Sequence, residues 1–280
     1  MAIIIDGKQI AADIRSQIAA ESAALPRKPG LAVVLIGNDP ASELYVRNKR
    51  KDCEACGFES REYLFDSSVT EDELISLIEQ LNGDAEIDGI LVQLPIPDSI
   101  HEKRVIEAIR PDKDVDGFHP FNVGSLFLGQ DGMCPCTPTG ILELLRVYGI
   151  EVDGKECVVV GRSNIVGKPM ALMLLQRNAT VTSCHTHTKN LKEITRRADV
   201  LISAAGCRNL ISGDMVKNGV VVIDVAMNRD AETGKFTGDV VFDEVAPKAS
   251  YITPVPGGVG PMTRAILMKN ILTAAQNHLR

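Results

Sequence analysis

The chain has no tryptophan, and aromatic residues fill only 4% of its 280 positions. A β-sandwich with an aromatic core is therefore disfavoured. Abundant Ala, Val, Ile and Leu favour α/β layers on aliphatic strands. Net positive charge is also missing: the balance of −7 argues against nucleic acid or an anionic membrane as main partner, since both need a basic field. A local basic site for an anionic cofactor stays compatible with that charge. No uninterrupted apolar run is long enough to span a bilayer. The start, Met1-Ala-Ile-Ile-Ile-Asp6, has too short an apolar run and no basic lead for a signal peptide. The expectation is a cytoplasmic protein whose seven cysteines stay reduced. No G-x-S-x-G, H-E-x-x-H or P-loop is present, which removes the commonest hydrolase and kinase readings. Cys53-x-x-Cys56 and Cys134-x-Cys136 match no standard zinc spacing, so no metal is expected.

What is present reads as two moderate domains. Leu31–Ile36 is an apolar run that leaves through Gly37-Asn-Asp-Pro40, a strand and its exit turn. A helix from Pro40 places Ser42, Tyr45 and Lys49 in one row at i, i+3 and i+7. That row fits a proton-transfer pair, and it equally fits a surface helix with a lysine stem over a tyrosine ring. Thr70 with Glu73 forms a capping box that opens a helix through Leu81. Ile87–Val92 is a second buried strand stopped by Pro95 and Pro97, which puts Gln93 at a strand's C-terminal end, where open α/β sheets place ligands. A helix near 101–109 precedes Asp112-Lys-Asp-Val-Asp-Gly-Phe-His119, a turn-rich loop with three acids, and another helix spans about 138–148.

From residue 151 strands and helices alternate as in a doubly wound parallel sheet. Gly161-Arg-Ser-Asn-Ile-Val-Gly167 follows a strand and opens a helix, the setting in which backbone N–H groups hold a pyrophosphate. Ser163 stands where the usual dinucleotide motif has its second glycine. The next strand ends in Thr182-Ser-Cys-His-Thr-His-Thr188 without the acid that would select NAD. Its hydroxyls, Thr186 among them, with His185 or His187 and with Arg162 from the first turn suit a 2′-phosphate. NADP is expected, with NAD possible as a second choice. Thr253-Pro-Val-Pro-Gly-Gly-Val-Gly-Pro-Met-Thr263 carries three glycines and three prolines in eleven residues, a shaped backbone held close to something, with Pro261 fitting the first position of a last helix.

Taken together, Ala41–Lys49, Gly89–Pro95, Asp112–His119, Pro135–Pro138, Val160–Pro169 and Ile252–Thr263 resemble the bifunctional methylenetetrahydrofolate dehydrogenase/methenyltetrahydrofolate cyclohydrolase family. The resemblance implies an N-terminal α/β catalytic domain, residues 1–140, with the helix of 262–280 packed back on it. It implies a Rossmann-type domain with a doubly wound parallel sheet, residues 141–261, and an active-site cleft between the two. It implies Lys49 as the central acid/base group, Tyr45 shaping the folate pocket, Gln93 bonded to Lys49, and Asp116 holding the pterin edge. Pro256, Gly257, Gly258 and Gly260 would line the folate; Gly161, Arg162, Ser163, Thr186 and Met227 would meet the cofactor. A homodimer acting on tetrahydrofolate derivatives is implied as well. Two departures stand out: Ala226 where the family usually has glycine, and the turn Gly206-Cys-Arg-Asn209. The competing readings are an amino- or hydroxy-acid dehydrogenase of similar layout, with Lys49 polarising a carbonyl, and a silent nucleotide sensor.

Overall fold

The computed structural model describes residues 2–229 and 234–280. Its strands are β1 (Ile3–Ile4), β2 (Gly30–Ile36), β3 (Glu59–Phe65), β4 (Gly89–Val92), β5 (Glu156–Val160), β6 (Thr180–Cys184), β7 (Val200–Ser203), β8 (Val221–Asp224), β9 (Asn228–Arg229), β10 (Phe236–Thr237) and β11 (Tyr251–Ile252). Its α-helices are α1 (Gly7–Ser22), α2 (Pro40–Ala55), α3 (Glu71–Gly83), α4 (Glu102–Ala108), α5 (Pro120–Leu128), α6 (Cys136–Val147), α7 (Gly167–Leu175), α8 (Leu191–Thr195), α9 (Phe242–Val245) and α10 (Val259–His278). The chain divides into two compact units: one holds Ala12–Cys136 with Arg264–Arg280, the other the N-terminal segment through Ala11 with Thr137–Thr263.

In the first unit β3, β2 and β4 form a parallel sheet in that order. The alternation of side chains along β2 explains why every residue in it is apolar or glycine. Leu31, Val33 and Leu35 pack with Val46, Cys53, Cys56, Ile266, Met268 and Ile271 on one face. Ala32, Val34 and Ile36 pack with Leu74, Ile78, Leu81, Val105 and Ile109 on the other. A strand covered on both faces has no polar side to show. The C-terminal helix is thus part of this unit's core.

The other unit holds a six-stranded parallel sheet in the order β1-β11-β8-β7-β5-β6. Here the domain boundary read from sequence needs correcting. Residues up to Ala11 belong with this sheet, because Ile3 and Ile4 pair with Tyr251 and Ile252 of β11 and Ile5 N–H donates to Ile252 O. A two-residue strand carries no periodicity by which to choose its sheet. The other junctions fall at Thr137 and Arg264 instead of 141 and 262.

Local signals behave as their chemistry requires. Thr70 and Glu73 close a reciprocal capping box at α3. Gly57 follows the end of α2 at φ 75°, the left-handed position glycine favours. α10 begins at Val259, which puts Pro261 at its third position; a missing N–H is harmless there too, since the first four have no helical acceptor. α5 was not expected from sequence, although His119 Nδ1 accepts from Phe121 N–H, Pro120 opens the helix and Gly129 ends it at φ 69°.

Asp88 is fully buried and is the most heavily engaged carboxylate of the first unit's frame. Arg27 donates to both of its oxygens at 2.6 and 2.8 Å, Gly30 N–H donates at 2.9 Å, and His278 Nδ1 lies at 2.9 Å. Removing the carboxylate leaves Arg27 and Gly30 N–H without their partner. Asp88→Ala is expected to lose about 3 kcal/mol of stability, read as a lowered midpoint of urea unfolding.

Candidate active site

Lys49 lies three turns into α2, beyond the C-terminal end of β2. Its Nζ donates to Gln93 Oε1 at 2.9 Å. Gln93 follows β4, and its own N–H donates to Val34 O of β2, so the residue is tied to the sheet it leaves. Gln93 Nε2 donates to Leu94 O at 2.7 Å, which fixes the orientation of the amide and leaves the oxygen facing Lys49. The lysine is half-buried. Burial lowers its pKa from the ordinary lysine value, and the nearby charge of Asp116 opposes the shift without reversing it.

Asp116 sits on the acidic loop. That loop is held by its neighbours rather than by a helix or strand. Asp114 Oδ2 accepts from His119 N–H and from Asn122 Nδ2, each at 2.8 Å. Lys113 Nζ donates to Leu81 O and Asp84 O at the end of α3. Asn270 of α10 donates to Val115 O at 2.8 Å and to Cys134 O at 3.1 Å. Gly117 turns at φ 73°, and a Cβ there would lie 2.6 Å from the carbonyl carbon of Cys134. Burial pushes Asp116 up to about 6, Lys49 pulling against that and Asp114 adding to it. Cys136 belongs to the same cluster: it is buried, donates to Val115 O and feels the charges of both Asp116 and Lys49. Sequence spacing brought Cys136 forward only in connection with zinc. Cys53 and Cys56 are packed in the core.

The remaining predicted residues divide. Tyr45 is 40% exposed on α2 and Ser42 is turned to the helix cap, donating to Asp39 Oδ2 through both its N–H and its Oγ. The expected three-residue row therefore reduces to Tyr45 and Lys49. Pro256, Gly257, Gly258 and Gly260 belong to the other unit, the first three in the loop from β11 into α10 and Gly260 in the first turn of α10. A Cβ on Gly258 would lie 2.6 Å from Thr253 Cβ, so this loop is folded tightly on itself.

In that unit Gly161 ends β5 at φ 127°, where a Cβ would meet Ala204 O at 2.2 Å. A Cβ on Gly167 would meet Gly161 O at 2.3 Å. The two glycines let the turn fold against itself and against the end of β7. Ser163, at the position where a second glycine is usual, accepts from Val166 and Gly167 N–H through its Oγ. It thus shapes the turn from within. Arg162 and Thr186 are exposed, each two residues past the end of its strand, β5 and β6. Met227 is 42% exposed after β8, and a Cβ on Gly260 would be 4.0 Å from its Sδ. The turn is a cradle that fits a dinucleotide pyrophosphate: bare backbone at the C-terminal edge of a parallel sheet, opening a helix.

A parallel sheet with such a turn, joined in one chain to an α/β unit carrying a desolvated lysine, defines a nucleotide-dependent oxidoreductase of two α/β units. The family models described as "Tetrahydrofolate dehydrogenase/cyclohydrolase, catalytic domain" and "Tetrahydrofolate dehydrogenase/cyclohydrolase, NAD(P)-binding domain" match residues 5–116 and 135–279. "Bifunctional protein FolD" of Bacillus subtilis (strain 168) is 57% identical, over 99% of each chain. The crystal structure of a bifunctional FolD methylenetetrahydrofolate dehydrogenase/cyclohydrolase from Campylobacter jejuni superposes with a TM-score of 0.97 at 50% identity, covering 99% of both chains. The Trypanosoma brucei enzyme, solved with NADP cofactor and an inhibitor, gives 0.96 at 39% identity, covering 100% of this chain and 99% of its own. The chain belongs to the tetrahydrofolate dehydrogenase/cyclohydrolase family.

Gly161→Ala introduces a methyl group against Ala204 O on a backbone that side chains rarely adopt. Dehydrogenase activity should fall at least about tenfold through weaker cofactor binding, while cyclohydrolase activity stays near that of the parent, both followed by absorbance of the methenyl compound.

Proposed function

We propose that the chain oxidises 5,10-methylenetetrahydrofolate to 5,10-methenyltetrahydrofolate with NADP, and hydrolyses the product to 10-formyltetrahydrofolate, with Lys49 as the proton-transfer group of the second step. The carrying observation is the Lys49–Gln93 hydrogen bond at 2.9 Å, made to a lysine whose pKa burial has lowered. NADP, when bound, takes up the hydride from the bridging methylene carbon. Gly161, Arg162, Ser163, Thr186 and Met227 are assigned to hold it. For that step the protein's task is orientation.

Hydrolysis needs more. A neutral Nζ has two N–H bonds and a lone pair. Gln93 takes one N–H, and the lone pair is left to accept a proton from the water that adds to the methenyl carbon. The ammonium so formed returns that proton to the ring nitrogen as its bond to carbon breaks, and the hydroxyl proton of the adduct passes to solvent water as the C=O forms. The formyl group is left on the other nitrogen. Gln93 adds no charge, so Lys49 can alternate between its two states. Asp116 supplies two acceptor oxygens for adjacent N–H groups of the pterin. Tyr45 is assigned to the pterin pocket, and Pro256, Gly257, Gly258 and Gly260 to the folate. The chain is assigned to the cytoplasm as a homodimer. Family resemblance supports the dimer, and the net charge of −7 supports the lack of a nucleic-acid partner. Among the described residues no helix is long and apolar enough to cross a membrane.

Two outcomes test these roles. Lys49→Met should cost cyclohydrolase at least about 100-fold and keep part of the dehydrogenase; retained cyclohydrolase would remove Lys49 from the proton transfer. Asp116 is ionised above about 6 and protonated below it. As pH falls through that value the carboxylate loses acceptor capacity, so the KM for methylenetetrahydrofolate should rise. Asp116→Asn should show a high KM with no such pH step.

A further inference from the structure

Asp239 was not singled out by sequence and has no part in the roles above, yet it is the most densely bonded carboxylate of its unit among the described residues. It is fully buried. Its Oδ2 accepts from Ala205 N–H at 2.8 Å, Gly206 N–H at 3.2 Å and Ser203 Oγ at 3.1 Å. Its Oδ1 accepts from Cys207 N–H at 2.7 Å and from Asn228 Nδ2 at 3.0 Å. Three consecutive backbone amides of the loop after β7 therefore converge on one side chain. Such convergent amides can bind an external anion; here the chain fills the position with its own.

Asp239 is held in turn. Its N–H donates to Asp224 Oδ1 at 3.1 Å, and Val240 N–H donates to Asp224 Oδ2 at 2.9 Å. Ala226 N–H donates to Asp224 Oδ1 at 3.2 Å, and Asp224 N–H donates to Thr253 Oγ1 at 2.8 Å. Thr253 is the first residue of the proline–glycine loop. Gly238 is the only residue type that fits between the two acids, since a Cβ there would lie 1.8 Å from Asp224 Oδ2. One buried chain of hydrogen bonds so joins the loops leaving β7, β8 and β11, at the end of a parallel sheet where ligands bind. Ala204, whose carbonyl presses on Gly161, lies in the first of these loops, and Met227 lies between Ala226 and Asn228.

We infer that Asp239 is a positioning residue for the cofactor: it fixes the loop 204–207 against Gly161, and through Asn228 the segment that presents Met227, so that the nucleotide site is formed before the nucleotide arrives. This rests on the assignment of that turn to NADP. In Asp239→Asn the shape is kept, but Nδ2 must face at least one backbone donor, and the loop is released.

The test measures NADP⁺ binding by titration calorimetry, alongside both activities, on the full chain. Asp239→Asn should weaken NADP⁺ binding about tenfold or more, raise the KM for NADP⁺, and leave hydrolysis of methenyltetrahydrofolate without cofactor near the parental rate. Asn228→Ala removes a single donor and leaves the three loop amides in place; it should show the same split to a smaller degree. NADP⁺ affinity unchanged in both variants, with the parent binding normally, would overturn the inference. So would equal loss of both activities in Asn228→Ala. No binding by the parent would instead defeat the NADP assignment.

Discussion

A parallel strand buried on both faces has nothing reactive to offer along its length. Its amides are used in the ladder and its side chains in the core. All chemistry is therefore moved to the ends, where strand gives way to loop. In one unit the ends of β2 and β4 deliver Lys49 and Gln93; in the other the ends of β5, β7, β8 and β11 deliver the glycine turn, the two braced loops and the proline–glycine loop. The apolar run of β2 and the polar cluster beyond it are consequences of one geometric constraint.

The strand-end residues in turn need support from elements remote in sequence. Gln93 is set by the carbonyl of Leu94, Asp116 by a loop tied to α3, α5 and α10, and the segment after β7 by a carboxylate more than thirty residues further on. Most of these bonds run from a charge or amide to a backbone group, the Asn122–Asp114, Ser203–Asp239 and Asn228–Asp239 pairs being the side-chain ones. Backbone groups exist at every position, so such supports leave no paired residue type in the sequence.

That explains what sequence could and could not reveal. Buried strands announce themselves by unbroken apolar runs, and the capping box of α3 by two residue types three apart, since these signals depend only on near neighbours. Lys49, Gln93 and Asp116 were legible because they fall inside long motifs, although spacing alone left the Tyr45–Lys49 pair open to a surface reading. β1 was assigned to the wrong unit because its partner, β11, is almost the whole chain away. α5 escaped because Pro120 and Gly129 bound a short, apolar segment with several exposed large side chains, which has no clear amphipathic stripe. Asp239 takes its meaning from three-dimensional convergence alone, and Cys136, although inside the Pro135–Pro138 stretch, shows its place beside Lys49 and Asp116 only there.

The amides of Ala205, Gly206 and Cys207 are already satisfied by Asp239. Ordering of this loop is therefore completed when the chain folds, not when a nucleotide docks. The entropy of association then reflects released water and the ligand's own lost freedom, with little contribution from the polypeptide. On the proposed assignment of this loop to the nucleotide, these three amides have no rearrangement left for the arriving dinucleotide to drive, so the loop adds no closure step to its association.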